Sequence, residues 1–212
     1  MGAAPERANL RPVRIALLGP IEQYVDAVET VGRFCLEELE TERVIYLGRD
    51  AKLDQAVKQW AVRLVGHRPE DSAIWRRSLA CQAASPAEID DFVARERRRQ
   101  WLSRLHSLPS EGVHLQIMGT RRVLFCHDDK ELEPVDVQTA DVVAVGNRAE
   151  PAVIRVEERF FLSPGTLSTG GLMLLDATQG LELQLFNRHC ELLSTHQLFT
   201  PLTTQRIGAK AD

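Results

Sequence analysis

The chain is short of cysteine: four in 212 residues, Cys35, Cys81, Cys126 and Cys190, scattered and without a C-x-x-C pair. That spacing argues against a disulfide framework or a zinc ribbon. Cys35 and Cys126 sit inside apolar patterns and are expected to be buried free thiols. Long apolar runs are missing too, since none approaches the ~20 residues needed to span a bilayer. Residues 1–12 are polar and lack the apolar centre of a secretory leader. Positive charge is not in excess, with 26 Lys and Arg against 30 Asp and Glu and a net charge of -4 at pH 7. A nucleic-acid partner is therefore not expected, nor a membrane, and a cytoplasmic protein is the plain reading. The one basic cluster, Arg95-Glu96-Arg97-Arg98-Arg99, fans around a helix axis and reads as a solvated face.

The usual nucleophile and phosphate motifs are absent as well. Ser163-Pro164-Gly165 is no nucleophile elbow, because G-x-S-x-G is missing. Gly170-Gly171 has neither the lysine nor the helix of a phosphate loop and reads as a turn. Cys126 and His127 are neighbours at the end of a strand, where side chains alternate between faces, so they do not form a thiol–imidazole pair. His127-Asp128-Asp129 reads as a surface turn rather than a metal cluster. His189 and His196 fall in a poorly patterned stretch and carry no specific signal.

What is present is an α/β pattern in a chain of ordinary composition, 44% hydrophobic and 26% charged. Val13 to Leu18 is an apolar run broken only at Arg14, as in a strand buried on both faces, and Gly19-Pro20 stops it. Tyr24, Val25, Val28, Val31, Phe34, Cys35 and Leu39 then recur at helical spacing. Val44 to Leu47 is a second strand, ending in Gly48-Arg49-Asp50. This is a βαβ unit, whose ligands are expected beyond the carboxyl ends of its strands.

Leu53, Val57, Trp60, Ala61, Leu64 and Val65 mark another helix, closed by Gly66. A loop over 67–72 and a short helix with Ile74, Trp75 and Leu79 are expected next. Ser85-Pro86-Ala87-Glu88 is a capping-box start for a helix carrying Ile89, Phe92, Val93, Trp101, Leu102 and Leu105 inward. From Val113 the pattern turns to strands: 113–117, 122–126 running into His127-Asp128, 142–146 running into Asn147-Arg148, and a closing hairpin over 170–176 and 181–185. Residues 1–12 and 201–212 are expected to be loose tails around a domain over 13–200, with a helical insertion at about 52–108.

The stretch RIALLGPIEQYVDAVETVGRFCLEELETERVIYLG, residues 14–48, resembles the opening of a calcineurin-like metallophosphoesterase. The resemblance runs through the strand-end loops to about residue 187. It implies a four-layer α/β/β/α sandwich of two mixed sheets flanked by helices, and two metal ions held by loops after the strands. The ligands themselves are gone. The aspartate of the family's D-x-H falls on Pro20, its histidine on Glu22, and the aspartate of G-D on Arg49. No G-N-H-[DE] occurs between Gly66 and Pro109. His127 stands where a ligand histidine is expected, while the histidines of G-H-T-H-x-P fall on Asn147 and Ala149. Arg159 to Gly165 resembles the N-P-G-S turn.

Proline and alanine offer no ligand atom, and a guanidinium at a bridging position repels each unit of metal charge by about 4 kcal/mol at 4 Å and an effective dielectric near 20. These residues imply a vestigial pocket of Glu22, Arg49, Asp50, His127, Asp128 and Asn147, with no catalytic residues, no metal ligands and no cofactor. In it Arg49 is expected to pair with Glu22, Asp50 or Asp128, or else to point to solvent. The family includes branches that lost their metals and kept the fold for assembly. The resemblance thus implies a non-catalytic scaffold subunit whose partner is another protein. Two alternatives differ in class. One is a phosphoesterase with a remodelled site using Glu22, Asp50, His127, Asp128 and Asn147 and a divalent metal such as manganese. The other is a phosphate or nucleotide sensor gripping its ligand with Arg49 and Arg148.

Overall fold

Strand β1 (Arg14–Leu18) is apolar on both faces because a layer of structure covers each. Ile15 and Leu17 point into a core shared with Val123, Phe125, Val142 and Ala144. Ala16 and Leu18 point the other way, against Val28, Val31, Trp60 and Leu102. The same alternation recurs in β2 (Arg43–Tyr46) and β5 (Arg121–Cys126), where Val123 and Phe125 face inward and Leu124 and Cys126 face a third cluster. Two sheets are thus packed face to face with helices outside them, the four layers that the alternation predicts.

The chain is described by a computed structural model covering residues 13–65, 75, 78, 79, 81–109 and 112–201. After β1 come α1 (Ala27–Arg33), β2, α2 (Lys52–Val65), α3 (Pro86–Leu102) and β3 (Leu105–Ser107). Then follow β4 (His114–Met118), β5, α4 (Pro134–Thr139), β6 (Val142–Val145), β7 (Ala152–Val156), β8 (Arg159–Ser163), β9 (Leu172–Asp176), β10 (Leu181–Phe186) and β11 (Leu192–Phe199). One sheet has six strands in the order β11-β10-β9-β1-β2-β3, and the other has five, β4-β5-β6-β8-β7. In the first, β1, β2 and β3 are parallel. In the second, β5, β6 and β8 are parallel. All six of these strands therefore send their C-terminal loops beyond the ends of their own sheets, where ligands gather in open α/β architectures.

Several elements differ from their sequence pattern. The helix expected to run to Leu39 is α-helical only to Arg33 and continues as a π-helical turn, Phe34–Glu38, which keeps Cys35 and Leu36 buried. Leu105, grouped with the preceding helix by its spacing, lies instead in β3, paired with Val44. Ser103 and Arg104 end the helix and allow the chain to join the sheet edge. Residues 159–163, expected as part of a turn, form β8, and only Pro164-Gly165 turns. The stretch after 187 is not patternless coil, since β11 adds eight residues to the sheet edge. It was illegible because most of its side chains are exposed on both faces, which erases alternation.

The capping box at Ser85 is present: the Ser85 hydroxyl accepts from the Glu88 N–H and the Glu88 carboxylate accepts from the Ser85 N–H at 2.7 Å. The expected tails and the stretch about 66–80 lie largely outside the described residues. Cys35, Cys81, Cys126 and Cys190 are free, and burial pushes the Cys126 thiol up to about 12. Among the described residues no helix is long and apolar enough to cross a membrane.

Arg14 breaks the apolar run of β1 for a reason. Its Nε donates to Asp176 at 2.8 Å across the β1–β9 ladder. Burial opposes ionisation of Asp176, but hydrogen bonds from Thr178 and the Arg14 guanidinium outweigh it and hold the carboxyl below the usual range. A carboxyl depressed in the folded state stabilises fully above its unfolded value near 4 and loses that contribution as the pH falls through its folded value. Asp176→Asn is expected to cost about 1 kcal/mol at pH 7. In urea unfolding, the gap between wild type and variant should close on acidification toward pH 3; a gap independent of pH would contradict the ionic origin.

Candidate functional site

Loops from both sheets meet at one end of the sandwich. β1 runs into Gly19-Pro20, β2 into Leu47-Gly48-Arg49, β5 into His127-Asp128, β6 into Gly146-Asn147-Arg148-Ala149, and the chain after β8 into Thr166. Together they line a cleft of about 350 Å³. Close backbone approach is built into this convergence. A Cβ on Gly19 would overlap the Gly165 carbonyl oxygen, and one on Gly146 would overlap the Leu47 carbonyl oxygen. Glycine at the two strand ends thus lets the loops touch.

His127 is 3% exposed at the floor of the cleft. Its Nδ1 lies 2.9 Å from the Leu47 carbonyl oxygen and its Nε2 3.1 Å from that of Pro109. Which oxygen takes the ring N–H depends on the tautomer, and a neutral ring donates to only one of them. The ring joins the end of β2 to the loop after β3 as a structural tie.

Arg49 pairs with Glu131, in the turn that follows Asp128. This corrects the expectation of Glu22, Asp50 or Asp128 as its partner, while the side chain still lies more than half exposed to solvent. Both partners are about half exposed, 57% and 46%, so the pair sets geometry and neutralises charge while contributing at most about 1 kcal/mol. Beside it the Asn147 amide donates to Asp128 at 2.8 Å and to Asp129 at 3.2 Å, and Arg148 approaches Asp129 at 3.5 Å. The Lys130 N–H, donating to Asp128, holds that carboxyl below its ordinary range, with Arg49 adding to the effect. Three loops are therefore laced together by cation–carboxylate and amide–carboxylate contacts.

The other two residues expected in the pocket are committed elsewhere. Asp50 accepts from the Tyr46 hydroxyl at 2.6 Å and from the Lys52 N–H at 3.2 Å, at the start of α2. Burial works against its ionisation, but these donors outweigh it and keep the carboxyl low. Burial, reinforced by Asp50, pushes the Tyr46 phenol above its usual value. Glu22 has a left-handed backbone, φ 53°, and its carboxylate accepts from Ser168 at 2.8 Å. Neither lines the cleft. The structure thus gathers Arg49, His127, Asp128 and Asn147 and sets Glu22 and Asp50 aside. Sequence reasoning missed Asp129 and Glu131 as partners, and the only signal available was the acidic run Asp128 to Glu131.

The donor set does not suit a pair of hard divalent cations, which need several carboxylate, imidazole and amide ligands converging on one point. Pro20 and Ala149 offer no side-chain donor, Arg49 brings a cation, and His127 is buried between two main-chain carbonyls. Among the described residues, no group of three His, Cys, Asp or Glu side chains is placed to hold an ion.

Two facing mixed sheets, helices on the outer faces and a cleft made by the strand-end loops constitute the metallophosphoesterase fold. No protein-family model and no curated protein matches the sequence. Among solved structures, the chain is similar to YfcE, a phosphoesterase from E. coli, at 12% identity and a TM-score of 0.51, over 88% of this chain and 100% of that one. It is also similar to a conserved uncharacterized protein (predicted phosphoesterase) from Streptococcus pneumoniae, at 10% identity and a TM-score of 0.50, over 87% of this chain and 96% of that one. At such identities the likeness establishes fold and leaves activity to the site.

Proposed function

We propose that this chain is a non-catalytic protein of metallophosphoesterase fold that serves as a protein-binding or scaffold subunit. The observation that carries the reading is the mutual engagement of the polar side chains around the strand-end cleft. Arg49 is tied to Glu131, Asn147 to Asp128, and the ring N–H of His127 to a main-chain carbonyl, that of Leu47 or of Pro109. Residues that would need to turn toward phosphate and metal are already satisfied by one another. A remodelled single-metal site is disfavoured by the same contacts, because Glu22 and Asp50 are anchored to Ser168 and Tyr46.

A protein partner is supported by apolar side chains left on edge strands. Leu115 and Ile117 on β4 are 47% and 67% exposed, and Leu192 and Leu193 on β11 are 55% and 49% exposed. Such edges invite association unless covered. A cytoplasmic setting belongs to the same proposal, supported by four free thiols.

The test is metal content after manganese loading, with hydrolysis of an aryl phosphodiester followed on the same sample. Metal far below one ion per chain and no turnover above buffer is the expected result. Near-stoichiometric manganese with turnover that disappears in His127→Ala would overturn the proposal.

A further inference from the structure

The parallel strands β5, β6 and β8 have a second end, and it carries a larger cavity than the first. Arg121 and Arg122 open β5, Ala140 and Asp141 precede β6, and Arg159 opens β8, so all lie at N-terminal ends of the sheet. With strands of four to six residues at ~3.3 Å per residue, this end is roughly 15 Å from the strand-end cleft. The β7–β8 hairpin contributes Arg155, Glu157 and Glu158, and Phe199 of β11 closes the side. The cavity measures about 560 Å³.

Four guanidinium groups face this space, and the structure holds them in place. Arg121 lies 4.0 Å above the Phe199 ring, and Arg155 lies 5.7 Å from the Phe160 ring. Arg122 reaches Asp141 at 3.4 Å, and Arg121 approaches the same carboxylate at 3.8 Å. Arg155 Nε donates to the Glu157 carbonyl at 3.0 Å, and Arg159 donates to the Gln138 carbonyl at 3.3 Å. Among the described residues, neither Arg155 nor Arg159 has a carboxylate partner. The carboxylates of Glu157 and Glu158, in the hairpin turn, pair with neither arginine. The turn holds Glu157 in a left-handed conformation, φ 55°, a strained state that non-glycine residues adopt rarely. That conformation belongs to the residue whose carbonyl anchors Arg155.

We propose that this arginine cleft is a binding site for a small organic phosphate. A guanidinium offers five N–H donors in a planar fork that matches phosphate oxygens, and each of these uses only part of its set. Anchoring by ring faces and main-chain carbonyls orders the forks before a ligand arrives, which lowers the entropic cost of binding. A smaller cavity of about 170 Å³, lined by Met118, Ala177, Gly180 and Pro201, shares Arg121 and Phe199 with the cleft. It is placed to take the uncharged part of the ligand while the phosphate rests among Arg122, Arg155 and Arg159. The site is separate from the strand-end cleft and does not depend on the scaffold reading.

The test is calorimetric titration of the full chain at low ionic strength with phenyl phosphate and, separately, with inorganic phosphate. Saturable one-site binding is expected, tighter for phenyl phosphate. The double variant Arg155→Ala with Arg159→Ala should weaken it by about tenfold or more, as loss of charge-assisted hydrogen bonds does. Should that variant unfold, Arg155→Gln alone removes the guanidinium while keeping a polar, unbranched side chain and should still bind more weakly. No saturable binding to wild type overturns the proposal. So does equal affinity for the two probes, full affinity in a folded Arg155→Gln, or a loss that appears in Arg49→Ala instead, which would move the anion to the opposite end.

Discussion

Gly19→Ala is expected to destabilise the protein by about 3 kcal/mol, at the upper end of what overpacking does, because the new methyl has nowhere to go. The atom it would overlap is the carbonyl oxygen of Gly165, which is backbone and cannot rotate aside. Gly19 directly follows β1, its N–H donates to the Gly171 carbonyl at 2.8 Å, and β1 is an inner strand between β9 and β2. Relief would require the loop after β8 to withdraw, opening the end of the sandwich where both sheets meet. The measurement is urea unfolding followed by circular dichroism, with the midpoint falling and the slope unchanged. A variant as stable as wild type would mean that the two loops are not in contact.

The second large effect is expected at His127. His127→Ala removes a buried ring and leaves the Leu47 and Pro109 carbonyls without it, for a loss of about 2–3 kcal/mol from the missing hydrogen bond and the cavity together. Two amide substitutions separate the ties. His127→Asn places a donor near the position of Nδ1 and His127→Gln near that of Nε2, so each should recover part of the stability by reaching one carbonyl. A role in metal binding would give a different pattern, with stability nearly unchanged in His127→Ala and bound manganese lost. The unfolding free energies of the three variants, read beside metal content, distinguish a structural tie from a remnant ligand.

The legibility of the fold varied with burial. β1, β2, β5, β6 and β9 announce themselves because a strand covered on both faces is apolar throughout, and Gly19-Pro20, Gly48 and Gly146 mark where such strands stop. The helix begun at Ser85 is legible from its first four residues, because a capping box is a local bargain between one hydroxyl and one carboxylate. β11 and β3 were not legible. β11 is an exposed edge with no face to bury, and β3 is three residues long and shares its apolar Leu105 with the helical spacing before it. The π-helical turn at Phe34–Glu38 escaped for a related reason, since one extra residue in a turn shifts the spacing without changing which residues are apolar.

The pocket divides in the same way. That Pro20 and Ala149 have no donor atoms, and that a guanidinium stands at residue 49, is decided by residue identity. No folding is needed to know it. Which carboxylate answers Arg49 depends on two loops 82 residues apart being laid side by side, and the partner turned out to be Glu131 because the turn after Asp128 folds back over the end of β2. Asp50 follows Arg49 directly, yet the Tyr46 hydroxyl and the start of α2 claim it. His127 is readable as a histidine at a strand end, but its two carbonyl neighbours come from Leu47 and Pro109, main-chain atoms that every residue possesses and no sequence distinguishes.

Residue chemistry and local periodicity therefore determined the layers, the strand ends and the lack of side-chain donor atoms at Pro20 and Ala149, since each depends on residue identity or on side chains within a few positions of one another. The pairings that lace the loops around one cleft and, among the described residues, leave Arg155 and Arg159 without carboxylates at the other were decided by tertiary structure alone. Hydrogen bonds and ion pairs act over about 3–4 Å, and only the packed sheets bring distant residues within that range.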